Sequence, residues 1–230
     1  MKTLQLTLMA AAATIAMGGA ALAQDDAAPT VSFNVGAASD YVFRGVSQTD
    51  EDPQVYGGVD VGYGMFYAGA WASNVDFNDS TDAEIDGYFG VKPTAGPVSL
   101  DLGAVYYGYV NAPSGADYGY WEFKAVGSVP AGPATIGAAL YYSPDFFGSV
   151  DEALYYEVNG SVPLAEKVSL SAALGHQSLK GPGDYTTWNI GVGYAFNEHF
   201  GLDLRYHDTD EHSFGKLYDS RVVVGLKATF

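Results

Sequence analysis

Large apolar residues alternate with small or polar residues along most of the chain beyond residue 30. In the segment 188–196 every even position is large and apolar, and every odd position is small or polar. The segments 98–106 and 222–230 follow the same period of two with few exceptions. Side chains on a β-strand point to opposite faces at successive residues. The pattern therefore predicts strands with one apolar face and one polar face.

Twelve segments show this alternation, and we predict one β-strand for each. The predicted strands are 31–44, 54–63, 66–75, 83–92, 98–109, 119–129, 134–143, 152–162, 168–176, 186–196, 200–207 and 218–230. In 66–75, 119–129 and 134–143, Ala, Gly and Tyr occupy both faces, so the alternation leaves their exact register open.

The connections between these strands alternate in length. Five are short, at 64–65, 93–97, 130–133, 163–167 and 197–199. Six are long and rich in Asp, Gly, Ser and Pro, at 45–53, 76–82, 110–118, 144–151, 177–185 and 208–217. Outer-membrane barrels have short periplasmic turns and longer extracellular loops. We therefore predict an all-β fold, an antiparallel up-and-down transmembrane β-barrel of about 12 strands with acidic extracellular loops.

The first residues have the composition of a secretory signal peptide. Lys2 gives a short positive start, an apolar core occupies 4–16, and 21–23 form a small-x-small cleavage pattern. The core is shorter than the roughly 20 residues that a membrane-spanning helix needs. We predict a cleaved signal peptide over 1–23 and a barrel over 24–230, in the outer membrane of a Gram-negative bacterium.

The alternation alone does not say which face of the barrel is inside. In a soluble barrel the apolar face surrounds a ligand, whereas in a membrane barrel it meets lipid, where a charge costs about 2–4 kcal/mol. Aromatic residues favour the membrane barrel, because they form two bands at opposite strand ends. The band near the short turns is Tyr63, Phe66, Tyr194, Phe196, Phe200 and Phe230, and the band near the long loops is Phe43, Tyr106, Trp121, Tyr142, Tyr156, Trp188 and Tyr206.

The composition excludes several other classes of protein. The chain has 230 residues, no cysteine and a net charge of −17, from 10 basic and 27 acidic residues. It therefore has no disulfide framework and no thiolate metal site. A charge this negative argues against nucleic-acid binding, and the 14% aromatic residues argue against disorder.

Charged residues on the polar faces are candidates for a constriction in the barrel interior. These pore-lining candidates are Arg44, Glu84, Asp86, Asp101, Glu122, Lys124, Glu157, Asp203, Arg205 and Arg221. Opposed charges in a narrow lumen set ion selectivity, but the same residues could form a ladder of salt bridges that closes the lumen. Many inward positions are small, including Gly36, Gly90, Gly103 and Gly191. We expect them both to leave space for a pore and to relieve strand curvature.

The long loops hold most of the acidic surplus. The predicted acidic vestibule consists of Asp50, Glu51, Asp52, Asp76, Asp79, Asp82, Asp208, Asp210 and Glu211. A negative mouth concentrates cations, so we expect a passive channel with weak cation selectivity and no cofactor. The clusters also suggest calcium, but none has the spacing of a calcium loop.

Two other functions remain open. A closed structural or adhesin-type barrel has the same strand pattern. A barrel hydrolase would need a nucleophile and a base at the rim. His176 and His207 lie near the loops, but no nucleophile motif accompanies them, so we expect no enzyme.

Two segments carry a resemblance to a known family. Residues 39–49 (SDYVFRGVSQT) closely resemble the opening motif of the TorF-like porins, and 66–75 (FYAGAWASNV) resemble the second block of that family. The terminal Phe230 is similar to the assembly signal of outer-membrane proteins. The resemblance implies an outer-membrane barrel with porin activity, surrounded by lipid and lipopolysaccharide and inserted by the barrel-assembly machinery. It implies no substrate and no functional residues.

Overall fold

The computed structural model describes residues 28–148 and 150–230. The predicted signal peptide, 1–23, lies outside these residues. The strands are β1 (Thr30–Ala38), β2 (Val42–Phe43), β3 (Val46–Ser47), β4 (Gln54–Tyr63), β5 (Phe66–Asn74), β6 (Ala83–Val91), β7 (Thr94–Ala95), β8 (Val98–Val110), β9 (Tyr120–Ala131), β10 (Ala134–Ser143), β11 (Ala153–Ala165), β12 (Val168–Leu179), β13 (Tyr185–Ala195), β14 (Phe200–Thr209) and β15 (Arg221–Thr229). Two short 3-10 helices, His212–Phe214 and Lys216–Tyr218, precede β15.

The twelve long strands close into one antiparallel barrel. Each pairs with its neighbour in sequence, β1 pairs with both β4 and β15, and β6 pairs with β8 across the short β7. In a bilayer, every backbone N–H and C=O group needs a hydrogen-bond partner within the protein. A closed barrel meets this requirement because it has no free sheet edge. The predicted all-β barrel of twelve strands is confirmed.

The two ends of the barrel differ in their connections. We call the end with the connections 39–53, 75–82, 111–119, 144–152, 180–184 and 210–220 the loop end, and the opposite end the turn end. In the described residues no helix is long and apolar enough to span a membrane.

The barrel is apolar outside and polar inside. Phe33 and Phe123 on its outer surface are 55% and 53% exposed, whereas Glu122, one residue before Phe123 and facing inward, is 1% exposed. The same contrast holds between Ile85 and Asp86 on β6. A soluble barrel with an apolar interior has the opposite arrangement. The alternation left open which face of the strands is inside. With the apolar face outside, the structure has the arrangement of a membrane barrel.

The first predicted strand is wrong beyond Ala38. The chain leaves the barrel wall there, and residues 39–53, which we call the inner loop, fold into the loop end of the interior. Arg44 and Gly45 have φ angles of 48° and 87°, in the left-handed region that an extended strand does not use. Phe43 packs inside against Tyr107, with ring centroids 5.9 Å apart, and so does not belong to the outer aromatic band.

The last strand also starts later than predicted, at Arg221 instead of residue 218, because Tyr218 belongs to a 3-10 helix. The three strands whose register was open occupy 66–74, 120–131 and 134–143.

Inward-facing glycines do not leave open space in the barrel. A side chain at Gly69 would meet the ring of Tyr88, and one at Gly175 would meet the ring of Tyr155. Tyr67 lies in the same way over both Gly90 and Gly103, Tyr56 over Gly36, and Arg205 over Gly191. The interpretation of these small residues as free pore volume is therefore wrong at these positions. They make room for larger side chains from neighbouring strands.

Candidate functional site

The inner loop holds a short hairpin inside the barrel. Strands β2 and β3 pair through Val42 with Ser47 and Phe43 with Val46. Tyr41, Val42 and Ser47 are all buried. A hairpin of this length is not stable by itself in water, so its position depends on contacts with the barrel wall.

Arg44 makes the central contact between the inner loop and the wall. Its two terminal nitrogens donate to the two carboxylate oxygens of Glu122 at 2.8 Å each, and Nη1 also donates to Gln177 at 3.0 Å. The guanidinium lies 4.9 Å and 4.3 Å from the ring centroids of Tyr141 and Tyr155. Both side chains of the Arg44–Glu122 pair are 1% exposed. A bidentate, fully buried pair fixes the loop in one position.

A second contact joins the inner loop to the strand that closes the barrel. Arg221 at the start of β15 donates to Asp40 at 2.9 Å, and its other terminal nitrogen donates to the carbonyls of Lys216 and Leu217. Asp40 also accepts hydrogen bonds from Ser47 and, at 2.9 Å, from Thr49. Arg221 thus ties the inner loop to the loop 210–220.

A third contact connects the inner loop to β6. The Tyr41 hydroxyl donates to Glu84 at 2.7 Å, and the Tyr41 ring packs edge-on against Trp71 at 5.5 Å. The next inward residue on β6 is Asp86, which is 1% exposed and whose two carboxylate oxygens have no hydrogen-bond partner in the described part of the chain.

The turn-end part of the interior is built by the strands alone. Asp101 accepts from Lys124 at 2.9 Å and from Tyr67 at 2.6 Å. Arg205 donates to Asp203 at 3.0 Å and to Asn189 at 2.7 Å. Several charged side chains here are half-buried, not buried: Asp60, Lys92, Asp101, Asp203 and Lys227.

The predicted constriction residues thus form separate groups. Arg44 meets Glu122, Lys124 meets Asp101, and Arg205 meets Asp203. Arg221 meets Asp40, which the candidate set did not include. Glu157 accepts from Tyr155 and Asn159.

The prediction that Arg44 lies on a barrel strand is wrong, since it reaches the interior from the inner loop. Tyr41 and Gln177 were missed, because period two placed Tyr41 outside and nothing in the sequence distinguishes Gln177.

The predicted vestibule residues lie in or next to the loop-end connections, where many of them hold turns. Asp50 contacts Lys216 at 2.7 Å, and this contact lowers the pKa of Asp50. Glu51 lies 3.7 Å from Arg221. The other acidic side chains of this set that accept hydrogen bonds are Asp76, Asp79, Asp82, Asp208, Asp210 and Glu211. Among the described residues, no three acidic or histidine side chains converge as a metal site would require.

The two histidines near the loops are placed differently. His176 faces outward, with Nδ1 3.1 Å from the Thr186 hydroxyl and its ring beside Tyr156. His207 faces the interior and is 3% exposed. A rim hydrolase would need an accessible base next to a nucleophile. His207 is too buried to act as such a base, whereas His176 is half-buried and contacts the Thr186 hydroxyl.

The chain matches, over residues 22–230, the family described as bacterial protein of unknown function (Gcw_chp). It belongs to this family. Its fold is similar to the KdgM porin, with a TM-score of 0.61 and 8% identity over 86% of this chain and 99% of that one. It is also similar to the KdgM porin in complex with disordered oligogalacturonate (TM-score 0.59, 9% identity, 88% and 99% of the two chains). The NanC porin gives a TM-score of 0.57 and 10% identity over 87% of this chain and 99% of that one. Curated protein sequences gave no match.

Proposed function

We propose that the protein is an outer-membrane channel for passive diffusion of small solutes or ions. The observation that carries this proposal is the closed barrel with exposed Val, Leu, Ile and Phe outside and buried charges inside. An exterior of this kind is stable only in lipid, since water would meet a continuous apolar band. The fold shared with two porins supports the same conclusion.

We further propose that the protein is a TorF-like porin. The motif that carries this resemblance, residues 39–49, forms most of the inner loop. Lipid and lipopolysaccharide would then surround the barrel, and the barrel-assembly machinery would insert it. The loop end would face the outside of the cell, as the longer loops of such barrels do.

The expected selectivity is weakly cationic. The loops at the barrel mouth carry the acidic residues of the vestibule. Among the described residues, Asp50 and Glu51 of this set contact a lysine or an arginine, and Asp208 contacts His212. Such a mouth attracts cations and repels anions. One KdgM structure holds oligogalacturonate. A polyanion of that type would be repelled at the mouth of this barrel.

A closed barrel is the second candidate function, and the inner loop favours it. The loop occupies the loop end of the interior and is fixed there by the buried Arg44–Glu122 pair. If no path passes beside it, the barrel would be sealed in its resting state.

Planar-bilayer recording of the purified protein tests both proposals. We expect a small conductance and a reversal potential of cationic sign in a KCl gradient, fading as salt screens the mouth. A variant in which a short Gly-rich turn replaces residues 40–52 is the matched comparison. Ala38 and Gln54 are cross-strand partners, so a short turn can join β1 to β4 with their pairing kept. This variant should conduct several times more.

The outcomes separate the candidates. A silent native protein with a conducting loop variant identifies a closed barrel. Two silent proteins, each shown to be folded, contradict the channel proposal. Anion preference at low salt contradicts the proposed selectivity alone.

A further inference from the structure

The inner-loop half of the barrel contains two carboxylates without a positive partner. Glu84 and Asp86 face inward from β6 and are 2% and 1% exposed. The Glu84 carboxylate accepts from the Tyr41 hydroxyl, whereas both oxygens of Asp86 are without a hydrogen-bond partner among the described residues. The residues paired with Asp86 on the neighbouring strands are Trp71 and Tyr107, neither of which is charged.

The terminal nitrogens of the buried cation in this region are committed elsewhere, while its Nε is buried without a hydrogen-bond partner among the described residues. Arg44 uses both terminal nitrogens on Glu122 and one of them also on Gln177. Across the described part of the chain, none of the ion pairs includes Glu84 or Asp86. Two neighbouring buried carboxylates without a counter-charge are strongly disfavoured, because each loses its hydration and repels the other. Their negative charge is neutralised either by a bound cation or by uptake of protons.

We propose that Glu84 and Asp86 bind a small monovalent cation, Na⁺ or K⁺, beside the inner loop. Calcium would need six to eight oxygen ligands, and the described residues hold no cluster of three metal-ligating side chains. A cation of single charge is also attracted by aromatic rings, and the cross-strand neighbours of Asp86 are Trp71 and Tyr107. The site would lie inside the proposed cation channel. It rests on that proposal in one respect, namely that cations enter the barrel.

Thermal unfolding of the refolded barrel in detergent tests the site without requiring conduction. The unfolding temperature is compared in NaCl, KCl and tetramethylammonium chloride at equal ionic strength and pH. Screening is equal in the three salts, so a difference reports specific binding. We expect the native protein to unfold roughly 2–4 °C higher in NaCl or KCl than in tetramethylammonium chloride, because a ligand bound to the folded state stabilises it.

Two isosteric variants assign this effect to residues. Asp86→Asn and Glu84→Gln should each lose the difference between the salts, since each removes a negative charge and keeps the shape. Asp60→Asn is the matched control, because Asp60 is also an inward carboxylate but accepts from Tyr88 at 2.7 Å. It should keep the full difference. Heat-modified mobility on gels and circular dichroism show whether each variant has folded.

Three results would overturn the proposal. One is equal stability of the native protein in the three salts, and another is an undiminished salt difference in both variants. The third is a stability that changes with pH equally in the three salts, which would assign a proton to the pair instead of a metal cation. The salt effect without bilayer conductance would refute the channel and keep the site, whereas conductance without the salt effect would refute the site alone.

Discussion

The loop-end and turn-end halves of the barrel interior are filled in different ways. At the loop end an inserted segment occupies the interior, and the charged residues Arg44, Glu84, Asp86 and Glu122 are all buried. At the turn end no segment enters in the described structure, and Asp60, Lys92 and Lys227 are only half-buried. The loop-end half is therefore packed around an inserted segment, whereas the turn-end half holds several charged side chains that are only half-buried, beside the buried Lys124 and Arg205.

The contacts that the inner loop makes with the barrel wall join residues farther apart along the chain than the contacts between strands at the turn end. Arg44 and Glu122 are 78 residues apart, and Asp40 and Arg221 are 181 apart. Toward the turn end, Arg205 and Asp203 are 2 apart and Tyr88 and Asp60 are 28 apart. The strands alone therefore shape the turn end, whereas the loop end depends on one inserted loop. Width and gating of a channel would be set where that loop lies.

Of the substitutions considered, removal of Arg44 at the loop end should lower the free energy of unfolding most. Arg44→Ala leaves the Glu122 carboxylate buried without its partner, which typically costs 3–5 kcal/mol, so we expect the free energy of unfolding to fall by about this amount. Lys92→Ala is the comparison at the turn end. Lys92 lies 4.6 Å from the Tyr67 ring centroid, and its loss should cost about 0.5–1 kcal/mol. Urea unfolding in detergent measures both.

The double variant Arg44→Met, Glu122→Met sharpens this test. It removes both charges and keeps apolar volume, so it should recover most of the stability. If Lys92→Ala destabilises as much as Arg44→Ala, the two halves do not differ as described.

Glycine substitution should have an intermediate effect that depends on which way the glycine faces. An alanine at Gly175 would displace the Tyr155 ring, which also packs on Arg44 and hydrogen bonds to Glu157. Overpacking of this kind costs about 1–3 kcal/mol. Gly160→Ala is the control, because its nearest neighbour would be the Thr135 carbonyl at 3.4 Å. We expect that variant to be as stable as the native protein or slightly more stable. An equal loss of stability in the two variants would contradict the conclusion that inward glycines make room for tyrosine rings.

The barrel was predictable because the period of two extends through nearly every strand. A lipid-facing strand needs this alternation, and a register error of one residue would invert both faces. The same rule failed at 39–44, where Tyr41 and Phe43 continue the phase of β1 although they lie inside. Length alone would not have revealed the error, since the predicted strand 31–44 has about the same length as the true strands β8 and β11, which have 13 residues each.

The pairs inside the barrel could not be predicted in the same way. Alternation shows that Glu84, Glu122 and Arg205 face inward, but it does not show which charge meets which. Arg44 reaches Glu122 because the inner loop folds back across the interior, and no local pattern encodes that path. The unpartnered state of Asp86 follows from the same three-dimensional arrangement.

The smallest predicted effect concerns the outer edge of the inner loop. The Lys216 ammonium lies 2.7 Å from Asp50 and lowers the pKa of that carboxyl. A carboxylate with a lowered pKa stabilises the folded state above its unfolded pKa, and this contribution is lost as pH falls through the folded pKa. Lys216→Ala should therefore raise the pKa of Asp50 toward its ordinary value, as measured by carbon-13 NMR of the side-chain carboxyl.

Lys180→Ala, which removes the ion pair with Asp151, should leave the pKa of Asp50 unchanged. An unchanged pKa in Lys216→Ala would mean that loop 210–220 does not hold the inner loop at this point, and that Arg221 alone joins them.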